Sequence, residues 1–100
     1  MIDELVQLIS VSTRELATEQ GIDVPQTLDA STRLFGEGGL LDSMALVSLV
    51  IGVEQALEDK YSVAVALADE KALSQRSSPY RTIGTLAAYA AQELSARKAG

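Results

Sequence analysis

The chain has 100 residues, with 14 acids against 8 bases for a net charge of −6, and it lacks both cysteine and histidine. That length fits one domain, residues 1–100, with a single modest core, and the acidic balance argues against a protein that grips nucleic acid through a basic face. Disulfides, thiolate chemistry, and the commonest general base and metal ligand are all excluded, so no catalytic or metal-binding set is expected.

Hydrophobic residues make up 47% of the chain and aromatic residues only 4%, a balance that suits packed helices better than an aromatic-rich sandwich. Charge is uneven: residues 1–59 hold eleven acids and two bases, net −9, and residues 60–100 hold six bases and three acids, net +3. An acidic front half suits basic partners, or simply solubility. The longest nearly apolar run, Met44 to Val53, is too short to span a bilayer. No basic, apolar, small-residue series opens the chain, so a soluble cytoplasmic monomer is expected.

Residues 2–20 carry a helical rhythm in Ile2, Leu5, Val6, Ile9, Thr13, Leu16 and Ala17, with Asp3 and Glu4 in the first turn and Gly21 as the stop. Residues 21–42 have no sustained period and read as a long loop holding Pro25 and four glycines. Leu28, Leu34, Phe35, Leu40 and Leu41 are spaced along it, and several of them are expected to pin it to the core. Residues 43–60 form a second helix. Its apolar pattern runs through Ala56 and Leu57, too long for a strand. Residues 61–66 alternate loosely and look extended. A short helix is expected from about Ala68 to Ser74, a break at Ser77-Ser78-Pro79, and a last helix over 82–97 with Thr82 as its cap.

The second helix is unusual because a surface helix on a small domain needs a polar face. If Leu46, Val50, Val53 and Leu57 point inward, then Met44, Val47 and Ile51 lie partly outside, an apolar strip beside Ser43. The alternative is a central helix covered by the long loop. Gly52 costs about 1 kcal/mol against Ala in mid-helix, so close approach of another chain segment is expected there. Asp42 and Ser43 are both good cap residues, and Ala45 and Leu46 stand where a capping box would place Glu or Gln. With no histidine to activate it, Ser43 suits the role of acceptor for another enzyme's chemistry better than that of nucleophile. A helix N-terminus also favours a phosphodiester anion.

The stretch Leu40-Leu41-Asp42-Ser43-Met44, followed by Leu46, Val47, Leu49 and Val50, resembles the acyl carrier protein family. That family opens its second helix with Asp-Ser-Leu or Asp-Ser-Met after a Gly-rich loop, and the resemblance covers nearly the whole chain. It implies an all-α four-helix bundle with a long first loop and a short third helix. It further implies that Ser43 accepts 4′-phosphopantetheine from coenzyme A through a phosphopantetheinyl transferase. The arm's thiol would then carry acyl or aminoacyl thioesters between an activating ligase and downstream acyl-transfer enzymes of fatty-acid or secondary-metabolite biosynthesis. The chain itself would not be an enzyme. Asp42, Met44, Val47, Ser48 and Ile51 match positions that meet those partners.

Three departures mark a specialised member. Ala45 and Ser48 stand where the family has acids, so recognition leans on apolar contact, with Glu54, Glu58 and Asp59 at the helix's far end. The interval from Ser43 to Tyr61 is about four residues, or one helical turn, longer than usual. The stretch from Ser74 to Arg81 is basic and long. In the last helix, Ala87, Ala88, Ala90 and Ala91 leave room for a cargo chain or, preferably, allow close helix packing. Two other readings are a helical interaction module with Ser43 as a plain cap, and a small helix-turn-helix regulator, which the acidic front half disfavours.

Overall fold

The computed structural model describes residues 2–36, 38–68 and 79–99. Among them are three α-helices and no strand: α1 (Ile2–Gln20), α2 (Ser43–Tyr61) and α3 (Ile83–Ala99). The short helix expected from Ala68 to Ser74 lies outside the described residues beyond Ala68, as does most of the Ser77-Ser78-Pro79 break. The all-α expectation therefore holds at the level of three helices.

α1 follows its sequence pattern closely. Leu5, Ile9, Thr13, Leu16 and Ala17 are buried on one face, and the buried Thr13 hydroxyl donates to the Ile9 carbonyl at 2.8 Å. Ile2 departs from the expected stripe. It is 45% exposed, at the helix's first position. The helix stops at Gly21, whose φ of +67° lets the Ile22 N–H turn back to the Ala17 carbonyl at 2.9 Å.

The long loop is held rather than free. Leu34 and Leu41 are buried, and Leu28, Phe35 and Leu40 pack half-buried against the core. The Arg14 guanidinium donates to the Gln26 carbonyl at 2.7 Å. The Asp29 carboxylate accepts from the Ser31 N–H and hydroxyl, closing a local turn. Backbone bonds then tie the loop to the entrance of α3: Leu34 N–H to Arg81 carbonyl at 2.8 Å, Ile83 N–H to Thr32 carbonyl at 3.0 Å, and Gly84 N–H to Ala30 carbonyl at 2.8 Å. Gly84 is required by this contact, since a Cβ there would stand 2.8 Å from the Ala30 oxygen.

α2 runs one residue further than the pattern suggests, taking in Tyr61. It ends at Ser62 in the left-handed conformation, whose N–H returns to the Glu58 carbonyl at 2.8 Å. The Tyr61 hydroxyl donates to the Glu4 carboxylate at 3.1 Å, with Lys60 3.9 Å from the same group. This places the end of α2 against the start of α1, so the two helices run antiparallel.

Of residues 61–66, expected to be extended, Tyr61 belongs to α2 and Ser62 to its end; from Val63 the chain alternates, with Val65 and Leu67 buried and Ala64 and Ala66 exposed, and pairs with no strand among the described residues. Leu67 is held from both sides. Glu54 of α2 accepts its N–H at 2.5 Å and that of Ala68 at 3.1 Å, and the Tyr80 hydroxyl donates to its carbonyl at 2.5 Å. Thr82 caps α3 as expected. Its hydroxyl accepts the Thr85 N–H, and the Thr85 hydroxyl accepts the Thr82 N–H, a reciprocal pair with Thr in the place of Glu.

Backbones of α1 and its two neighbours approach closely, whereas α2 and α3 stay beyond 8 Å Cα to Cα. One side-chain core joins all three helices, and Leu67 and Tyr80 belong to it. Ala87 and Ala90 are fully buried, in keeping with close packing of α3 rather than an open channel.

Candidate functional site

The start of α2 is built by the loop that precedes it. Gly36 and Gly38 both have positive φ. The Gly39 N–H returns to Gly36, and those of Leu40 and Leu41 return to Arg33 and Leu34. A Cβ on Gly39 would lie 2.8 Å from the Leu34 oxygen and the Phe35 Cα, so only glycine fits. With Leu41 buried as an anchor, the chain delivers Asp42 and Ser43 in a fixed position.

Asp42 is the cap. Its backbone is extended, its carboxylate accepts the Ala45 N–H at 2.8 Å, and its carbonyl accepts the Leu46 N–H at 2.9 Å. Ser43 is the first residue inside the helix, exposed to solvent, and its hydroxyl has no hydrogen-bond partner among the described residues. The sequence left both residues open as caps, and the structure gives that task to Asp42 alone.

Beyond Ser43, α2 divides as its two stripes suggest. Ala45, Leu46, Leu49, Val50, Val53 and Leu57 are buried. Met44 is 82% exposed, Val47 39% and Ile51 45%, with Ser48 exposed between them. Positions 43, 44, 47, 48 and 51 share one helix face by their spacing, so all the residues singled out after the cap are brought together. The alternative of a helix covered by the long loop is not what is found.

Three expectations need correction. Ala45, read as a missing surface acid, is 2% exposed and faces the core, where a carboxylate would be desolvated. Glu54 is not a free partner acid, because its carboxylate is engaged with the backbone of Leu67 and Ala68. Glu58 and Asp59 do remain exposed. Gly52 has no chain segment against it, since a Cβ there would meet nothing within 4 Å. Sequence reasoning missed Leu49 as a core residue, although it sits one turn from both Ala45 and Val53 on the buried face.

Two groups elsewhere titrate away from their usual values. The Ser31 hydroxyl and N–H hold the Asp29 carboxyl below the usual range. Partial burial, with the Glu4 carboxylate as hydrogen-bond partner, pushes the Tyr61 hydroxyl up. At the site itself, residues 43–51 of α2 carry no ionisable side chain. What the site offers is an accessible hydroxyl on a rigid helix terminus beside an apolar surface.

In comparisons with family models, curated proteins and solved structures, nothing matches this chain. Among the described residues no helix is long and apolar enough to cross a membrane, and no cluster of acidic residues could hold a metal ion.

Proposed function

We propose that this chain is a carrier protein of the acyl carrier kind, bearing 4′-phosphopantetheine on Ser43. The observation that carries the reading is the division of labour at the start of α2. Asp42 caps the helix, which leaves the Ser43 hydroxyl exposed and unbonded beside Met44, Val47 and Ile51.

The residues present fit the group. A phosphodiester on Ser43 Oγ would lie at the positive end of a 19-residue helix. The Ser43 and Met44 N–H groups there have no acceptor within the helix. Asp42, whose negative charge would repel that of a phosphate, is turned to the Ala45 N–H. When bound, the group supplies a thiol on a flexible arm that forms thioesters with acyl or aminoacyl cargo. The chain holds the arm at a fixed point and presents Met44, Val47, Ser48 and Ile51 to the enzymes that load and use it. Those partners are a phosphopantetheinyl transferase, an activating ligase and acyl-transfer enzymes, met in the cytoplasm by a monomeric carrier that is not itself an enzyme. On this reading α1, α2 and α3 would be three of the four helices of a bundle, the fourth being the short helix expected from about Ala68 to Ser74.

The exposed strip also supports a second reading, a docking module without a prosthetic group. Incubation with a promiscuous phosphopantetheinyl transferase and coenzyme A, read by intact mass, separates the two. The carrier reading expects one phosphopantetheine added to the wild type and none to Ser43→Ala. No gain under conditions that modify a known carrier would sink it. A pure docking module should keep partner binding in Ser43→Ala and lose it in Val47→Asp.

A further inference from the structure

α1 brings its backbone close to both other helices, whereas α2 and α3 nowhere approach within 8 Å, Cα to Cα. What joins α2 to α3 is the side-chain core, which takes in Leu67 and Tyr80 from outside the helices, both fully buried. Leu67 is fixed to α2 through its N–H, which donates to the Glu54 carboxylate at 2.5 Å, and its carbonyl accepts the Tyr80 hydroxyl at 2.5 Å. Tyr80 is fixed in turn beside α3. The Pro79 carbonyl before it accepts the Thr85 hydroxyl at 3.2 Å, and the Arg81 carbonyl after it accepts the Leu34 N–H at 2.8 Å. A chain of bonds therefore runs from α2 through Leu67 and Tyr80 to the first turn of α3.

Tyr80 is the bulkiest fully buried side chain among the described residues, in a core whose other apolar members there are all Leu, Ile, Val or Ala. A buried phenol needs a partner for its hydroxyl, and this one has the Leu67 carbonyl. An apolar chain entering between α2 and α3 would have to push the ring aside and break that buried bond. A methionine in the same place could give way by turning its flexible side chain, with no polar group to lose. We propose that Tyr80 is a specificity-determining residue that bars acyl chains from the core between α2 and α3. Cargo then rides in solvent at the end of the arm, and the carrier suits short or polar acyl groups that need no shelter from water. This inference rests on the reading of Ser43 as the attachment point and adds the class of cargo that point can carry.

The chain has no cysteine, so Ser43→Cys can be alkylated at one site without any transferase. The reagent is an iodoacetamide linker of the length of phosphopantetheine, ending either in an octyl chain or in a hydroxyl. In ¹⁵N spectra of the intact chain, the octyl form should match the hydroxyl form at the amides of Val50, Leu67 and Leu86, and the two should melt together. With Tyr80→Ala added, the octyl arm should shift those three amides and raise the thermal midpoint above that of the hydroxyl form by about 4 °C or more. If Tyr80→Ala does not fold, Tyr80→Leu keeps the core apolar, removes the hydroxyl and should give the same shifts. The proposal is overturned by octyl-dependent shifts at Val50, Leu67 and Leu86 with Tyr80 in place, or by their absence in the folded Tyr80 variant. A missing mass gain at Ser43 would sink the attachment reading and leave these spectra as they are, so the two fail separately.

Discussion

The two faces of α2 are made of much the same residues and do opposite things. Leu46, Leu49, Val50 and Val53 are sealed in the core, while Met44, Val47 and Ile51 stand in solvent on the same 19-residue helix. Hydrophobicity alone does not separate them. What does is position around the helix: the buried set faces α1 and the shared core, and Ser43, the first residue after the Asp42 cap, lands at the edge of the exposed face. Apolar residues in solvent contribute little to folding, so their placement beside an accessible hydroxyl points to use by partners.

The sharpest way to break that contrast is chemical. Ser43→Ala should abolish attachment of phosphopantetheine altogether, as read by intact mass, while moving stability by no more than about 0.5 kcal/mol, as is usual for a surface change. Next in size is a matched pair of truncations. Leu49→Ala on the inner face should cost about 2–5 kcal/mol by urea denaturation, a large part of the stability of a domain this small. Ile51→Ala on the outer face should cost less than about 1 kcal/mol. If the two cost the same, the division of α2 into a structural and a presenting face is wrong.

Smaller effects sharpen the boundary between the faces. Asp42→Ala removes the acceptor for the Ala45 N–H and should lower stability by about 1 kcal/mol in the same denaturation experiment. Gly52→Ala should raise it by about 0.5–1 kcal/mol, because the added methyl enters open space. The smallest effect concerns the loop that delivers the site. Asp29 has a folded pKa held below its unfolded value, so its contribution is present above the unfolded pKa and is lost as pH falls through the lowered one. Asp29→Asn should therefore flatten the acid limb of a stability-against-pH curve below about pH 4 and leave the neutral region nearly unchanged.

Much of this was legible in the chain before folding was considered. The 3.6-residue rhythm identified α1 and the inner stripe Leu46, Val50, Val53 and Leu57, and Gly21 and Thr82 marked helix ends where they occur. The exposed strip could be inferred because one small core has no room for every side of an apolar helix. What was not legible has physical reasons. Asp42 and Ser43 have equal capping chemistry, and only backbone geometry chooses between them. Ala45 carries too little hydrophobic signal to announce its burial. Glu54 bonds to backbone N–H groups 13 and 14 residues ahead, partners that leave no mark in the side-chain pattern. Gly52 suggested a close contact that the chain does not make with itself, because a Cβ there would enter open space.

The central claim is that Ser43 is an attachment point. The most direct test is peptide-level mass spectrometry of the chain purified from its native host. The account predicts one phosphopantetheine-derived adduct, on the peptide containing Asp42-Ser43-Met44. An unmodified Ser43 in an extract where another carrier protein is fully modified would contradict it.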